Sequence, residues 1–154
     1  MLLEIKKHPF PLLKKRCEAV KTVNGEIRAL IRDMFQTMYH NNGIGLASNQ
    51  VGHDLQLAVI DVGDGKRVII NPKIIKKQGK ETSEEGCLSL PHLFLKIKRA
   101  KRIEVEALNE KGENVRIKGE GLLAFCLQHE IDHLNGVLIK DRIGFLHKLR
   151  NLIK

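Results

Sequence analysis

The chain has 154 residues, 42% hydrophobic and 29% charged, which suits a single soluble domain with a real core; no apolar run nears the roughly 20 residues of a membrane span. Lys and Arg outnumber Asp and Glu by 27 to 18, for a net charge of +9, which permits polyanion contact, yet 4% aromatic residues and no Trp argue against specific nucleic-acid recognition. Three widely spaced cysteines (Cys17, Cys87, Cys126) and Glu4 within the first apolar stretch exclude a disulfide framework and a targeting peptide, so a cytoplasmic location is expected.

Residues 1 to 24 read as an extended arm, with Pro9 and Pro11 around Phe10. Asn24 is an N-cap type, and Ile27, Leu30, Ile31, Met34, Phe35 and Met38 recur at helical spacing, which predicts a helix over 25 to 40 with one face buried. Asn41-Asn42-Gly43 ends it, and a glycine-rich loop through Gly43, Gly45 and Gln50 follows. It is no phosphate loop, because Gly-Lys-Ser/Thr is absent and a helix rather than a strand precedes it. Leu55 to Val62 and Arg67 to Ile70 form a predicted hairpin across Gly63-Asp64-Gly65. Asn71-Pro72 breaks that run, with a further short strand at Ile74-Ile75, and Glu81 to Pro91 reads as a polar loop. Ile103 to Leu108 and Val115 to Lys118 are the next predicted strands. Leu122 to Leu127, without a charge, leads into a predicted helix that runs on through His133, is apolar nearly all round and buried, and would be closed by Gly136 at C′. Val137 to Ile139 is a predicted short strand, and Phe145, Leu146, Leu149, Leu152 and Ile153 mark a terminal amphipathic helix with Lys148, Arg150 and Lys154 opposite. The expected architecture is α+β, with antiparallel sheets packed around the central buried helix, an N-terminal helix and a C-terminal amphipathic helix, all in one domain of residues 1 to 154.

The central helix carries His129-Glu130-Ile131-Asp132-His133. Histidines four apart share one helix face, and in this spacing both rings bind a metal while the glutamate serves as general base toward the water it activates. A catalytic site usually has three protein ligands. The position six residues after His133 is Ile139 and no glutamate follows Glu130, so the usual downstream ligands of such peptidases are missing. Asp141 and His147 are conceivable third ligands without a motif. Cys87, in the polar run Glu85-Gly86-Cys87-Leu88-Ser89, is the stronger candidate, because a thiolate with two imidazoles suits Zn²⁺ or Fe²⁺. The competing readings are an endopeptidase built on the same helix and a basic RNA-associated module with a structural metal.

Gly43-Ile44-Gly45-Leu46-Ala47-Ser48-Asn49-Gln50, Glu85-Gly86-Cys87-Leu88-Ser89 and Gln128-His129-Glu130-Ile131-Asp132-His133 together resemble the three signature motifs of peptide deformylases, in the same order and over nearly the whole chain. The resemblance implies an enzyme that removes the formyl group from the initiator methionine of nascent chains. It implies Cys87, His129 and His133 as ligands of one divalent ion, foremost Fe²⁺, with Zn²⁺ or Ni²⁺ as substitutes. Glu130 would be the general base, and the Gln50 amide and Leu88 N–H the oxyanion donors. Ile44, Gly45 and Gly86 would hold the substrate main chain, with Leu122, Phe125, Cys126 and Ile44 around the methionine side chain. Glu85 and Arg99 would pair behind the cysteine loop. Ser48, His92 and Phe94 depart from the common pattern and bear on substrate preference. A ribosome contact through the basic terminal helix is a further expectation.

Overall fold

A computed structural model describes residues 1–143; the expected terminal helix lies outside the described residues. The first α-helix, α1, spans Gly25–His40. Asn24 caps it as the sequence predicts, its Oδ1 accepting the Ile27 N–H at 3.0 Å. At the other end Asn42, at φ +57°, lets Gly43 N–H reach back to Met38 O at 2.9 Å and Asn42 N–H to Tyr39 O at 3.1 Å. These are the two bonds of a Schellman stop.

Five strands form one antiparallel sheet, in the order β1 (Gly45–Ala47), β2 (Leu57–Ile60), β3 (Arg67–Gln78), β6 (Arg102–Leu108) and β7 (Asn114–Glu120). A separate antiparallel hairpin pairs β4 (Glu81–Cys87) with β5 (Leu90–Arg99). The second helix, α2, spans Leu122–Leu134. Side chains alternate across a strand, and over β2 and the start of β3 both sheet faces are covered. Ala58, Ile60 and Ile69 pack with Ala124, Leu127 and Ile131 of α2. The intervening Leu57, Val59, Val68 and Ile70 pack with Leu30, Met34 and Met38 of α1. That double burial explains why β2 is apolar without a break.

Four sequence expectations need correction. The stretch after Gly43 is not all loop: Gly45–Ala47 is the edge strand β1, and Ser48–Val51 is a 3₁₀ turn. Strand β3 does not stop at Asn71-Pro72. Asn71 takes φ +50° and the register slips between Ile70 and Lys73, so the strand bends and continues on a new partner. Its side chain replaces lost ladder bonds by pairing with both the N–H and C=O of Val20, at 2.8 and 2.9 Å. Glu81 to Pro91 is mostly strand, the β4–β5 hairpin. Val137 to Ile139 is not a strand: a 3₁₀ turn runs over Ile139–Arg142, and the Asp141 carboxylate accepts the Leu138 N–H at 2.8 Å. Gly136 does close α2 at φ +75°, with Val137 N–H to Asp132 O at 2.9 Å and Gly136 N–H to His133 O at 3.0 Å. The arm is extended as expected, apart from one 3₁₀ turn at Pro11–Lys14. No helix among the described residues is long and apolar enough to cross a membrane.

Candidate metal centre

Buried on the sheet, α2 turns His129 and His133 toward the end of β4. Their Nε2 atoms lie 3.2 Å apart, and His133 Nε2 is 3.3 Å from Cys87 Sγ. All three donors fall within 4.8 Å of one another. Among the described residues no other group of three Cys, His or acidic side chains converges this way; Asp141 instead caps a turn and pairs with Lys14.

The donor set fits a small divalent ion with bonds of about 2.0–2.3 Å. His129 keeps Nε2 for the cluster because its Nδ1 meets Glu85 Oε1 at 2.9 Å, the outer contact that fixes a ligating ring. The electrostatics ask for a cation as well. Burial alone would favour a neutral His129, but the Glu130 charge and bonds to Cys87 and Glu85 lift it to about 10. Burial and the neighbouring His129 charge push His133 well below its ordinary value. The pair stands in a negative field, which a metal ion would answer.

Glu130 faces this cluster from a fully enclosed position. Burial pushes its carboxyl up to about 7, against the pull of the His129 charge. Its Oε1 is buried and has no hydrogen-bond partner among the described residues. That combination suits a group that exchanges a proton near neutral pH.

Gln50, at the end of the 3₁₀ turn after β1, is anchored through Oε1, which accepts the Ala47 N–H at 3.0 Å. Its Nε2 donates to Ser89 Oγ at 3.1 Å and points at Cys87 Sγ from 3.6 Å. Leu88 lies in the two-residue turn between Cys87 and its pairing partner region at Leu90. A cleft of about 560 Å³ is lined by Ile44, Gly45, Gln50, Gly86, Leu88, Leu122, Phe125, Cys126, His129 and Glu130 among others. Gly45 is required by space: a Cβ there would stand 2.4 Å from Glu130 Oε2 and 2.9 Å from Cys126 Sγ. Burial raises the Cys126 thiol well above its ordinary value, so it lines the cleft as an uncharged group. Behind the cluster, Glu85 is gripped by Arg99 through Nε–Oε2 at 2.9 Å and Nη2–Oε1 at 2.7 Å. Burial would raise the Glu85 carboxyl, but the bonds from Arg99 and His129 outweigh it and hold it at about 2.

Cys87 and the residues named with it from the three motifs, together with Leu122, Phe125, Cys126 and Arg99, stand at the cleft or directly behind it; Asp141 lies elsewhere, and His147 falls outside the described residues. Four others had escaped notice. Ser89 holds Gln50 and donates to Lys6 O at 2.7 Å. Gln128 clasps the Ala100 main chain at both N–H and C=O, each at 2.9 Å, tying α2 to the end of β5. Asp132 and Arg142 continue the ionic contacts beyond Arg99. Ser89, Gln128 and Asp132 lie inside the quoted motifs, so position was their only signal; Arg142 had none. The three departures also have physical readings. Ser48 bonds His53 O and Leu55 O, His92 occupies φ +65°, and the 70% exposed Phe94 lays its ring over Gly86 at the cleft rim.

Residues 2–148 match the polypeptide deformylase family. A peptide deformylase of Thermodesulfovibrio yellowstonii is 45% identical over 152 residues, covering 96% of this chain and 92% of that protein. The peptide deformylase of Neisseria meningitidis is also 45% identical, over 97% of this chain and 91% of its own. Among solved structures, a peptide deformylase from Legionella pneumophila superposes with a TM-score of 0.93 at 41% identity, covering 100% of this chain and 93% of the other. One from Synechococcus elongatus, in complex with actinonin, gives 0.91 at 42% identity, with coverages of 98% and 84%.

Proposed function

The chain belongs to the polypeptide deformylase family, hydrolases that remove the N-formyl group from the initiator methionine of new polypeptides, and from that premise we propose how its residues divide the work. The whole chain, residues 1 to 154, acts as one catalytic domain in the cytoplasm. Cys87, His129 and His133 would hold the ion, Fe²⁺ in the native enzyme, with Zn²⁺ or Ni²⁺ able to replace it at the same S/N/N set. When bound, such an ion lowers the pKa of water toward about 7 and polarises a carbonyl oxygen.

The observation that carries this reading is the buried Glu130 carboxylate beside the three convergent donors, with one oxygen unpartnered. Glu130 accepts a proton from water and returns it to the departing amine. Gln50 has its carbonyl end fixed by Ala47 and one amide N–H taken by Ser89 Oγ, which leaves its second N–H on the side of Cys87 and the cleft. That N–H meets the oxygen of the formyl group as it gains charge, together with the Leu88 N–H. Substrate main chain lies alongside Gly45 on the edge strand β1 and Gly86 on β4, adding to both as a strand would. Ile44, Leu122, Phe125 and Cys126 surround the methionine side chain.

Formate release from a formyl-Met peptide, after anaerobic loading with each metal in turn, tests both parts. Glu130→Ala is expected to lose nearly all turnover while keeping its metal; substantial formate release by that variant would refute the general-base role. Cleavage inside an unformylated peptide would favour the endopeptidase reading instead.

A further inference from the structure

We propose that Asp132 and Arg142 are positioning residues for the metal centre, the outer rungs of an ionic ladder that ends on His129. The proposal rests on the reading above that His129 is a metal ligand. The ladder runs Arg142, Asp132, Arg99, Glu85, His129. Glu85 Oε1 meets His129 Nδ1 at 2.9 Å, and Arg99 grips Glu85 at 2.7 and 2.9 Å. The remaining Arg99 nitrogen, Nη1, donates to Asp132 Oδ2 at 2.6 Å. Arg142, from the 3₁₀ turn after α2, donates through Nε to the same oxygen at 2.9 Å and through Nη2 to Asp132 Oδ1.

Geometry gives each rung a task. A fork that grips a single carboxylate can still swing as a unit about its own stem. The third bond of Arg99, to Asp132, removes that freedom. It also returns the ladder to α2, because Asp132 stands next to His133 and three residues after His129. Arg99 thereby joins the piece of chain that carries Cys87 to the helix that carries both histidines. Asp132 Oδ1 has Arg142 as its partner among the described residues.

Charge leads to the same assignment. Two arginines balance Glu85 and Asp132 inside the protein, where the side chains of Arg99, Glu85 and Asp132 are 3%, 9% and 11% exposed. Removing Arg142 leaves one uncompensated negative charge on that chain of contacts. Arg99 is then drawn toward Asp132, its hold on Glu85 loosens, and the Glu85–His129 bond that fixes the ring loosens with it. Arg142 is itself 44% exposed, so water reaches the place its side chain would leave, and the predicted signature is a change at the metal larger than any loss of fold.

The test uses cobalt-loaded protein, with two readouts: the visible and thiolate charge-transfer absorption of the bound ion, and metal retention against a chelator. Arg142→Ala should shift the absorption and weaken retention about tenfold, the low end of the range for groups that support a ligand. Asp132→Asn should move both in the same direction and further. Arg142→Lys, which restores charge but not the fork, should fall between wild type and Arg142→Ala. Unchanged absorption and retention in Arg142→Ala, with or without a lower melting temperature, would overturn the ladder alone. A wild-type protein that binds no cobalt through Cys87 and the histidines would overturn the metal-centre reading as well.

Discussion

α2 and the β4–β5 hairpin bring donors to the same cluster, but different forces hold them there. Ala124, Leu127, Ile131 and Leu134 of α2 sit in the main core between helix and sheet. The hairpin has a small apolar cluster of its own, built on Leu95, Ile97 and Ile139. Its ties to α2 are polar: Arg99 to Asp132, Glu85 to His129, and Ala100 to Gln128. Apolar packing carries no titrating group, whereas ionic ties form and break with protonation. The two histidines are thus set in a rigid body, and the cysteine is brought to them by charge.

The contrast can be broken most forcefully on the packing side. Leu127 is fully buried, and Leu127→Ala should cost about 2–5 kcal/mol of unfolding free energy in urea titration. The folded fraction should still bind its metal, because no contact of the hairpin is touched. Next comes Gln50, which ties the hairpin to the 3₁₀ turn after β1 by reaching Ser89 and Cys87. Gln50→Ala should lower kcat by roughly two to three decades, about 2.7–4 kcal/mol of barrier, with metal content unchanged; an unaltered kcat would remove Gln50 from the reaction.

The charge side gives smaller effects with a pH signature. Glu85 is held at about 2, below its ordinary 4.5. A depressed carboxyl stabilises the fold fully above its unfolded pKa, and that contribution disappears as pH falls through the folded value. The urea midpoint of the wild type should therefore drop between about pH 4.5 and 2 more steeply than that of Glu85→Gln. Parallel profiles would show that the hairpin does not depend on this charge. Smallest of all is the exposed sheet face, where Arg116 pairs with Glu104 and Glu106. Arg116→Ala should shift the urea midpoint by only a small fraction of the Glu85 effect. A larger loss would mean that ionic ties count even where water screens them.

The same division explains what the sequence revealed. α1 and α2 were legible because an apolar stripe, an Asn cap and a closing glycine act locally, and the structure keeps each of them. The β2–β3 hairpin followed from its turn residues. The β4–β5 hairpin was missed because its inward positions break the hydrophobic rule. Ser83, Glu85 and Cys87 point in on β4, and buried Arg99 ends β5. Those are the residues that serve the site, so its chemistry erased the alternation that would have announced a strand. β1 was hidden for a related reason, since its glycine makes room for Glu130 rather than for a turn. The bend at Asn71 depends on a distant partner, Val20, which no local window contains.

Gly45 carries one more consequence. Any side chain there would meet the Glu130 carboxylate 2.4 Å from its Cβ, so every substitution at this position presses on that carboxylate. An inhibitor that grips the main chain at Gly45 contacts a feature that mutation at that position cannot remove without disabling the enzyme. Escape would have to come from the rim, where Ile44, Phe94 and Leu122 are exposed. At the floor of this cleft, resistance and activity are inseparable.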